Sequence, residues 1–336
     1  MDPLTQGVLG AALPQAASDK ETVGLAGLLG FWAGMSADLD VLIRSAEDPL
    51  LFLEYHRQFT HSLIFIPFGG MLCAVVFYLM LTRCRKLGFA RTYLWCTLGY
   101  ATHALLDACT TYGTMLFWPF SDARIAWNTI SIIDPLFTVP ILILVVSAAL
   151  AKRPALAKIA LCWGLIYMGL GLWQRNEAQQ MGWDIAQERG HSPIRLEAKP
   201  SFANILVWKI VYETDYKFYV DAVRTGPFPE VFAGDSLNKL NVERDLHWLE
   251  KKSQQALDVE RFSWFSNGFV AVDPAQPNRV IDIRYSMVPN EITPLWSIQL
   301  QPGAGDSAHA NYLTHREMAG QSTAKLKRML FGEPTQ

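Results

Sequence analysis

Three histidines and four aspartates fall where long apolar runs begin or end. Asp38 and Asp40 close the run of residues 22–37; His56, Arg57 and His61 open residues 61–81; His103 and Asp107 close residues 92–106; Asp134 opens residues 135–151. Ionisable side chains at membrane depth cost a few kcal/mol and normally face a protein interior or a polar cavity. Successive spans run antiparallel, so the end of one and the start of the next share a membrane face, and separate elements deliver these side chains to one level. His103 and Asp107, at i and i+4, project from one helix face and can hold a single metal. His56 and His61, at i and i+5, stand about 140° apart on a continuous helix. The expected arrangement therefore has Thr60 capping a helix, His61 in its first turn and His56 in the preceding loop. Asp38 and Asp40 lie on opposite faces of an α-helix, but at a helix end either or both can turn inward. A His and Asp donor set without thiolate suits zinc or manganese and a hydrolytic centre. Such a metal lowers the pKa of bound water toward 7 and polarises an ester or phosphoryl oxygen.

Blander roles exist for each residue alone. Asp134 before Pro135 has the sequence of an N-cap. The Asp38 and Asp40 pair can mark the membrane boundary, His103 can pack against Asp107, and Arg57 can anchor at the interface. Independent capping events need not supply so many imidazoles and carboxylates on one side, which favours a site for one or two metal ions. The expected ligands are Asp40, His56, His61, His103 and Asp107. Asp38 and Arg57 are the expected catalytic residues, with Arg57 steadying developing negative charge.

The elements that must position these groups are set by composition. Of 336 residues, 51% are hydrophobic and only 18% charged, below the roughly 25% usual for soluble domains. Residues 1–173 hold 11 basic and 11 acidic side chains, against 18 and 20 in the remainder, so the two parts meet different solvents. The net charge of −2 excludes a basic nucleic-acid binder by bulk electrostatics. Cys73, Cys84, Cys96, Cys109 and Cys162 form no Cys-x-x-Cys pair, which argues against a disulfide framework and a thiolate zinc site.

The apolar runs of residues 22–37, 61–81, 92–106, 135–151 and 159–173 predict an α-helical integral membrane bundle of about five helices. Ahead of them, Asp2 and Pro3 read as N-cap and first position of a weakly apolar helix that Pro14 ends; the opening residues lack the basic region and cleavage site of a secretory leader. Loops of residues 82–91 and 152–158 carry seven basic side chains, against Arg44, Arg57 and Arg124 on the other side. That bias puts the first set in the cytoplasm and the His/Asp level, with everything after residue 173, on the outer face. Trp118, Phe120 and Trp127 then form an interfacial belt. Residues 1–175 make the membrane domain. Residues 176–301 make an extramembrane α+β domain, opened by a helical exit over 174–189, with strands expected over 204–212, 216–223, 269–273, 279–288 and 294–300 and a helix-prone stretch over 243–260. Residues 302–336 read as a polar tail, partly disordered.

Several motifs also resemble a known family: MDPLTQG at the start, GMSADLDVL around Asp38 and Asp40, HRQFTHSL at 56–63, HALLDACTTYGT at 103–114 and WNTISIIDPLF at 127–137. Together they are similar to the membrane-bound metal-dependent hydrolases, also described as LexA-binding, inner-membrane-associated hydrolases, over about residues 1–175. The resemblance implies metal and catalytic positions at Asp38, Asp40, His56, His61, His103 and Asp107. One position departs: many members look like Thr-His at positions 5 and 6, where this chain has Thr5 and Gln6. A ligand or supporting partner from the N-terminal segment is thus expected to be missing, which weighs against two metals.

The leading expectation is an inner-membrane, multi-pass, metal-dependent hydrolase of an ester or phosphoester. Its cofactor is a divalent metal, zinc before manganese, and its partners are membrane lipid and an amphiphilic substrate, with no nucleic acid. One alternative is an ion- or proton-coupled transporter, although no inverted repeat supports it and the polar groups sit at one end of the spans. The other, suggested by the resemblance alone, is a scaffold binding a regulatory protein.

Overall fold

The computed structural model describes residues 1–315 and 320–332. They divide into two compact units: Met1–Leu42 with Tyr55–Trp173 and Phe202–Asn204, and Ile43–Glu54 with Gln174–Ser201 and Ile205–Gln336.

The first unit is helical. Helix α1 (Pro3–Ala16) is N-capped by Asp2, whose carboxylate accepts from Thr5 N at 3.0 Å. Pro14 sits inside α1 and does not stop it; the helix ends two residues later, so this proline was a poorer stop signal than its type suggests. Helix α2 (Val23–Met35) continues as a 3-10 helix over Ser36–Leu42. After the short α3 (Leu51–Tyr55), of which only Tyr55 belongs to this unit, 3-10 turns at Phe59–His61 and Leu63–Phe65 lead into α4 (Ile66–Phe77), which ends in a π turn at Tyr78–Thr82. Helices α5 (Phe89–Cys109), α6 (Pro135–Ala151) and α7 (Pro154–Glu188) follow. Val23–Leu42, Leu63–Thr82 and Pro154–Glu188 are long and apolar enough to cross a membrane, and α6 is a shorter apolar helix. Phe68, Leu72, Val76, Leu79 and Met80 on one segment, and Leu165, Ile166 and Trp173 on another, are exposed. Large apolar side chains facing outward in such numbers fit lipid as the solvent. Phe120 and Trp127 are exposed as well.

Small residues bring three of these helices together. A Cβ on Gly30 would lie 2.3 Å from the Gly10 carbonyl oxygen, and one on Gly99 would lie 2.5 Å from that of Gly30. Helices α1, α2 and α5 therefore cross at backbone distance, as small residues permit in membrane bundles. Ala26, Leu29 and Ala33 of α2 pack with Trp95 and Cys96 of α5 beside this crossing.

The second unit carries two antiparallel sheets. The first comprises β1 (Arg195–Pro200), β2 (Val207–Glu213), β3 (Lys217–Arg224) and β4 (Glu230–Phe232) in that order, with β5 (Ser236–Asn238) also pairing β3. Helices α8 (Val242–Asp245) and α9 (Gln254–Phe265) precede the second sheet, β6 (Val270–Asp273), β7 (Gln276–Asp282), β8 (Trp296–Gln299) and β9 (Asn311–Thr314), in chain order. Val211, Phe218 and Val220 of one sheet pack on Ala271 and Ile281 of the other and on Phe269 just before β6. Each such large apolar side chain contributes about 1.5–3 kcal/mol by leaving water. Leu326 and Met329 of α10 (Gly320–Phe331) pack on Val207, Ala222 and Val288. Strand β9 and helix α10 thus lie in the stretch read as a polar tail; residues 316–319 and 333–336 of that stretch lie outside the described residues.

Candidate metal centre

The 3-10 extension of α2 sets the placement of its two carboxylates. A 3-10 helix turns about 120° per residue, so positions two apart stand about 120° from each other, against about 160° on an α-helix. Asp40 is buried, and the Asp38 side chain keeps 26% exposure. His61 arrives on its own 3-10 turn. His103 and Asp107 lie one turn apart on α5, and both are fully buried.

Hydrogen bonds at the far side of each ring define the tautomers. His103 Nδ1 lies 2.6 Å from the Gly34 carbonyl oxygen. A carbonyl only accepts, so Nδ1 carries a hydrogen, which in a neutral ring leaves the lone pair on Nε2. His61 Nδ1 lies 3.2 Å from Asp40 Oδ2 and 3.0 Å from Thr60 Oγ1, whose own hydrogen goes to Asp40 Oδ2 at 2.7 Å. Here too Nδ1 donates, and a neutral ring leaves the lone pair on Nε2. The two Nε2 atoms then face each other at 2.9 Å. Two lone pairs at that distance repel, so either a hydrogen shared by the rings or a metal ion must lie there.

Two carboxylate oxygens join them. Asp38 Oδ1 is 3.4 Å from each Nε2, and Asp107 Oδ2 is 3.4 Å from that of His61 and 3.9 Å from that of His103. A tetrahedral zinc with bonds of about 2.0–2.1 Å has ligand–ligand edges of about 3.3–3.4 Å. Asp107 Oδ2 makes no hydrogen bond although it is fully buried. Its partner oxygen is well supplied: the Met1 amine and, at 2.8 Å, Gln6 Nε2 donate to Oδ1. Arg57 Nε stands 3.0 Å from Oδ2 but off the hydrogen-bonding direction. The donor set, its spacing and this unpartnered oxygen all fit a divalent cation held by Asp38, His61, His103 and Asp107. A second group, Asp38, Asp40 and His56, also meets metal spacing and shares Asp38 with the first.

Asp40 organises the surroundings. Its Oδ1 lies 2.7 Å from His56 Nδ1, and its Oδ2 accepts from Arg57 N at 3.0 Å as well as from Thr60. Arg57 is held at φ 66°, a left-handed conformation costing a non-glycine residue about 1–3 kcal/mol and recurrent at functional sites. Met115 N donates to its carbonyl at 3.0 Å, and its guanidinium lies over Tyr112 at 5.2 Å. Arg57 is therefore buried against Asp107 and is not free at an interface.

The structure thus brings together Asp38, Asp40, His56, Arg57, His61, His103 and Asp107. Asp134 stands apart: it N-caps α6 through Leu136 N and Phe137 N and accepts from Tyr167 Oη at 2.9 Å on both oxygens. Thr60 does not cap a helix. The turn at Phe59–His61 is too short to need it, and its hydroxyl serves Asp40 instead. Gln6 is not a gap: its amide is the partner that the N-terminal segment supplies to Asp107. Sequence spacing missed Gly34, whose carbonyl orients His103; the signal was the glycine itself, since its Cα lies where a Cβ on Gly10 would reach at 2.9 Å.

A helical membrane protein with a buried His/Asp centre is the class that this fold and site define. Residues 1–178 match the YdjM inner membrane protein family, and the chain belongs to that family. It is 25% identical over 299 residues to the uncharacterized protein YfhP of Bacillus subtilis (strain 168), covering 85% of this chain and 87% of that one. It is 29% identical over 127 residues to the inner membrane protein YbcI of Escherichia coli (strain K12), covering 36% of this chain and 68% of that one. No solved structure matches. Family and apolar helices together support a location in the inner membrane.

Proposed function

We propose that the chain is a metal-dependent hydrolase of the inner membrane, acting on an ester or phosphoester carried by an amphiphile. The observation that carries this reading is the convergence of two imidazole Nε2 atoms and two carboxylate oxygens on one point, with both Nδ1 atoms facing oxygen acceptors. This is how metal-ligating imidazoles are held. A shared proton would satisfy the imidazole pair alone and leave two carboxylates crowded at the same point. Zinc or manganese, bound there, would supply an acidified water and polarise the scissile group.

The chain's own residues then have separate tasks. Asp38, the exposed member of the set, marks the side from which substrate arrives. Asp40 Oδ1 fixes His56 Nδ1, so His56 Nε2, on a ring 30% exposed, is placed to accept and return a proton. Arg57 balances the charge of Asp107 from inside and steadies the anionic state. The bias of basic residues supports an opening at the outer headgroup level, where a lipid ester lies. A second reading, favoured by the Asp38, Asp40 and His56 group, adds a second cation on that side.

Elemental analysis of the purified chain tests both. One zinc or manganese per chain, reduced to background in His61→Ala and His103→Ala, supports the first reading, and two per chain supports the second. Hydrolysis of a generic phosphodiester that follows metal content identifies the enzyme; undiminished metal in both variants removes these histidines from the site. Metal-free protein with pH-linked ion flux would instead identify a transporter.

A further inference from the structure

The segment joining Asp40 to His56 belongs to the second unit. Ile43–Glu54 is counted with the sheets and not with the helices that carry the centre, and it is covalently continuous with the centre at both ends. Its hold on the second unit is specific. Arg261 on α9 donates from NH1 and NH2 to the two oxygens of Asp48 at 3.0 and 2.8 Å, and from Nε to Glu54 Oε1. Its orientation is set by Asp258, fully buried one turn earlier, whose Oδ1 accepts from Arg261 NH1 at 3.0 Å while Oδ2 accepts from Ala310 N at 2.8 Å. Phe52 adds an edge-on contact with Tyr312 of β9, ring centroids 5.0 Å apart. Three of the four hydrogen bonds made by this guanidinium thus go to a loop whose ends are Asp40 and His56.

We propose that Arg261 is a positioning residue for the metal centre, the point through which the extramembrane domain fixes the two chain segments that bear Asp38, Asp40, His56 and Arg57. Both ends of the loop must be held for the Asp40–His56 contact to persist, because Glu54 lies two residues before His56 and Ile43 three after Asp40. The planar fork matters as well as the charge: a lysine cannot reach both Asp48 oxygens and Glu54 together. The inference rests on the metal reading for its consequence, but not for its geometry.

The test uses the full-length protein in nanodiscs, as parent, Arg261→Ala, Arg261→Lys and Asp48→Ala/Glu54→Ala. Amide hydrogen exchange is followed by mass spectrometry in metal-free protein, and zinc affinity is measured by chelator competition. Arg261→Ala is expected to accelerate exchange across residues 36–61 while amides of β2, β3 and β7 keep their protection. Zinc affinity is expected to fall at least about tenfold, with partial recovery in Arg261→Lys and the same loss in Asp48→Ala/Glu54→Ala. Unchanged exchange across 36–61 overturns the proposal whether or not the parent binds zinc. Raised exchange with zinc affinity within about twofold of the parent overturns it too. A parent that binds no zinc ends the metal reading, and the exchange pattern alone then decides whether Arg261 holds the segment.

Discussion

Both units bury charged groups, but they treat them in opposite ways. In the sheet domain every buried carboxylate has its donors. Asp282 accepts from Arg284 Nε at 2.9 Å and NH2 at 2.6 Å, from Arg284 N at 3.0 Å and from Trp296 Nε1 at 3.1 Å. Asp221 accepts a two-pronged pair from Arg189 at 2.7 and 2.8 Å, with Gly234 N at 3.0 Å. In the helical unit, Asp107 Oδ2 and two imidazole nitrogens meet with acceptors facing acceptors. Neutralised clusters hold a fold together, whereas an acceptor-rich cluster offers a place for a cation. Burial alone does not separate the two, and the balance of donors against acceptors does.

The largest effect should come from breaking the neutralised side. Asp282→Ala strands the buried Arg284 guanidinium and should destabilise the sheet domain by about 3–5 kcal/mol, read by chemical denaturation of the domain's tryptophan signal, with metal content unaltered in the folded fraction. Metal loss in the folded fraction would erase the contrast. On the acceptor-rich side, Asp40→Asn removes the oxygen charge that sets the His61 and His56 tautomers and should weaken zinc binding about 10–100-fold, measured by competition with a chelator. An unchanged affinity would show that Asp40 orients neither ring.

Smaller effects test how the helices and the sheet hold these groups. Gly99→Ala puts a methyl 2.5 Å from the Gly30 carbonyl oxygen and should cost about 1–3 kcal/mol by overpacking. It also pushes α5 from α2, so metal affinity and thermal stability should fall together; a loss of stability alone would show that the His103–Gly34 contact tolerates the shift. The most gradual effect concerns pH. Burial pushes the Lys209 ammonium down to about 7, against the pull of Asp282 and Glu291. The unfolded chain keeps that proton to about 10.4, so unfolding takes up a proton between these values. Stability of the sheet domain should therefore rise with pH across that window, by at most about 1.4 kcal/mol per pH unit. Lys209→Met should flatten the slope, and an equal slope in the variant would assign it elsewhere.

The centre was largely legible because its residues stand at the ends of apolar runs, where a His or Asp is costly unless used. His103 and Asp107 announced themselves by a one-turn spacing, and the structure keeps them on one face. What stayed hidden depends on contacts between distant segments. Nothing local marks Thr60 as a donor to Asp40, Gln6 as a donor to Asp107, or the Gly34 carbonyl as the seat of His103. The conversion of α2 to a 3-10 helix at Ser36 also left no periodic trace. In the sheet domain the strands rich in β-branched and aromatic residues were readable, whereas β1, with Arg195, Glu197, Lys199 and Pro200, lacks that composition and is defined by its pairing with β2. Strands β4 and β5 are three residues each, too short for alternation to register, and β9 lies in a stretch whose polarity masked it.

Among the four converging side chains that could hold an ion, Asp38 alone keeps contact with the surroundings. Whatever enters, leaves or strips the centre must therefore pass one doorway. Under the proposed hydrolase reading, loading, turnover and chelation would compete for the same passage, and an anionic product lingering there would shield the ion while it stalls the next cycle.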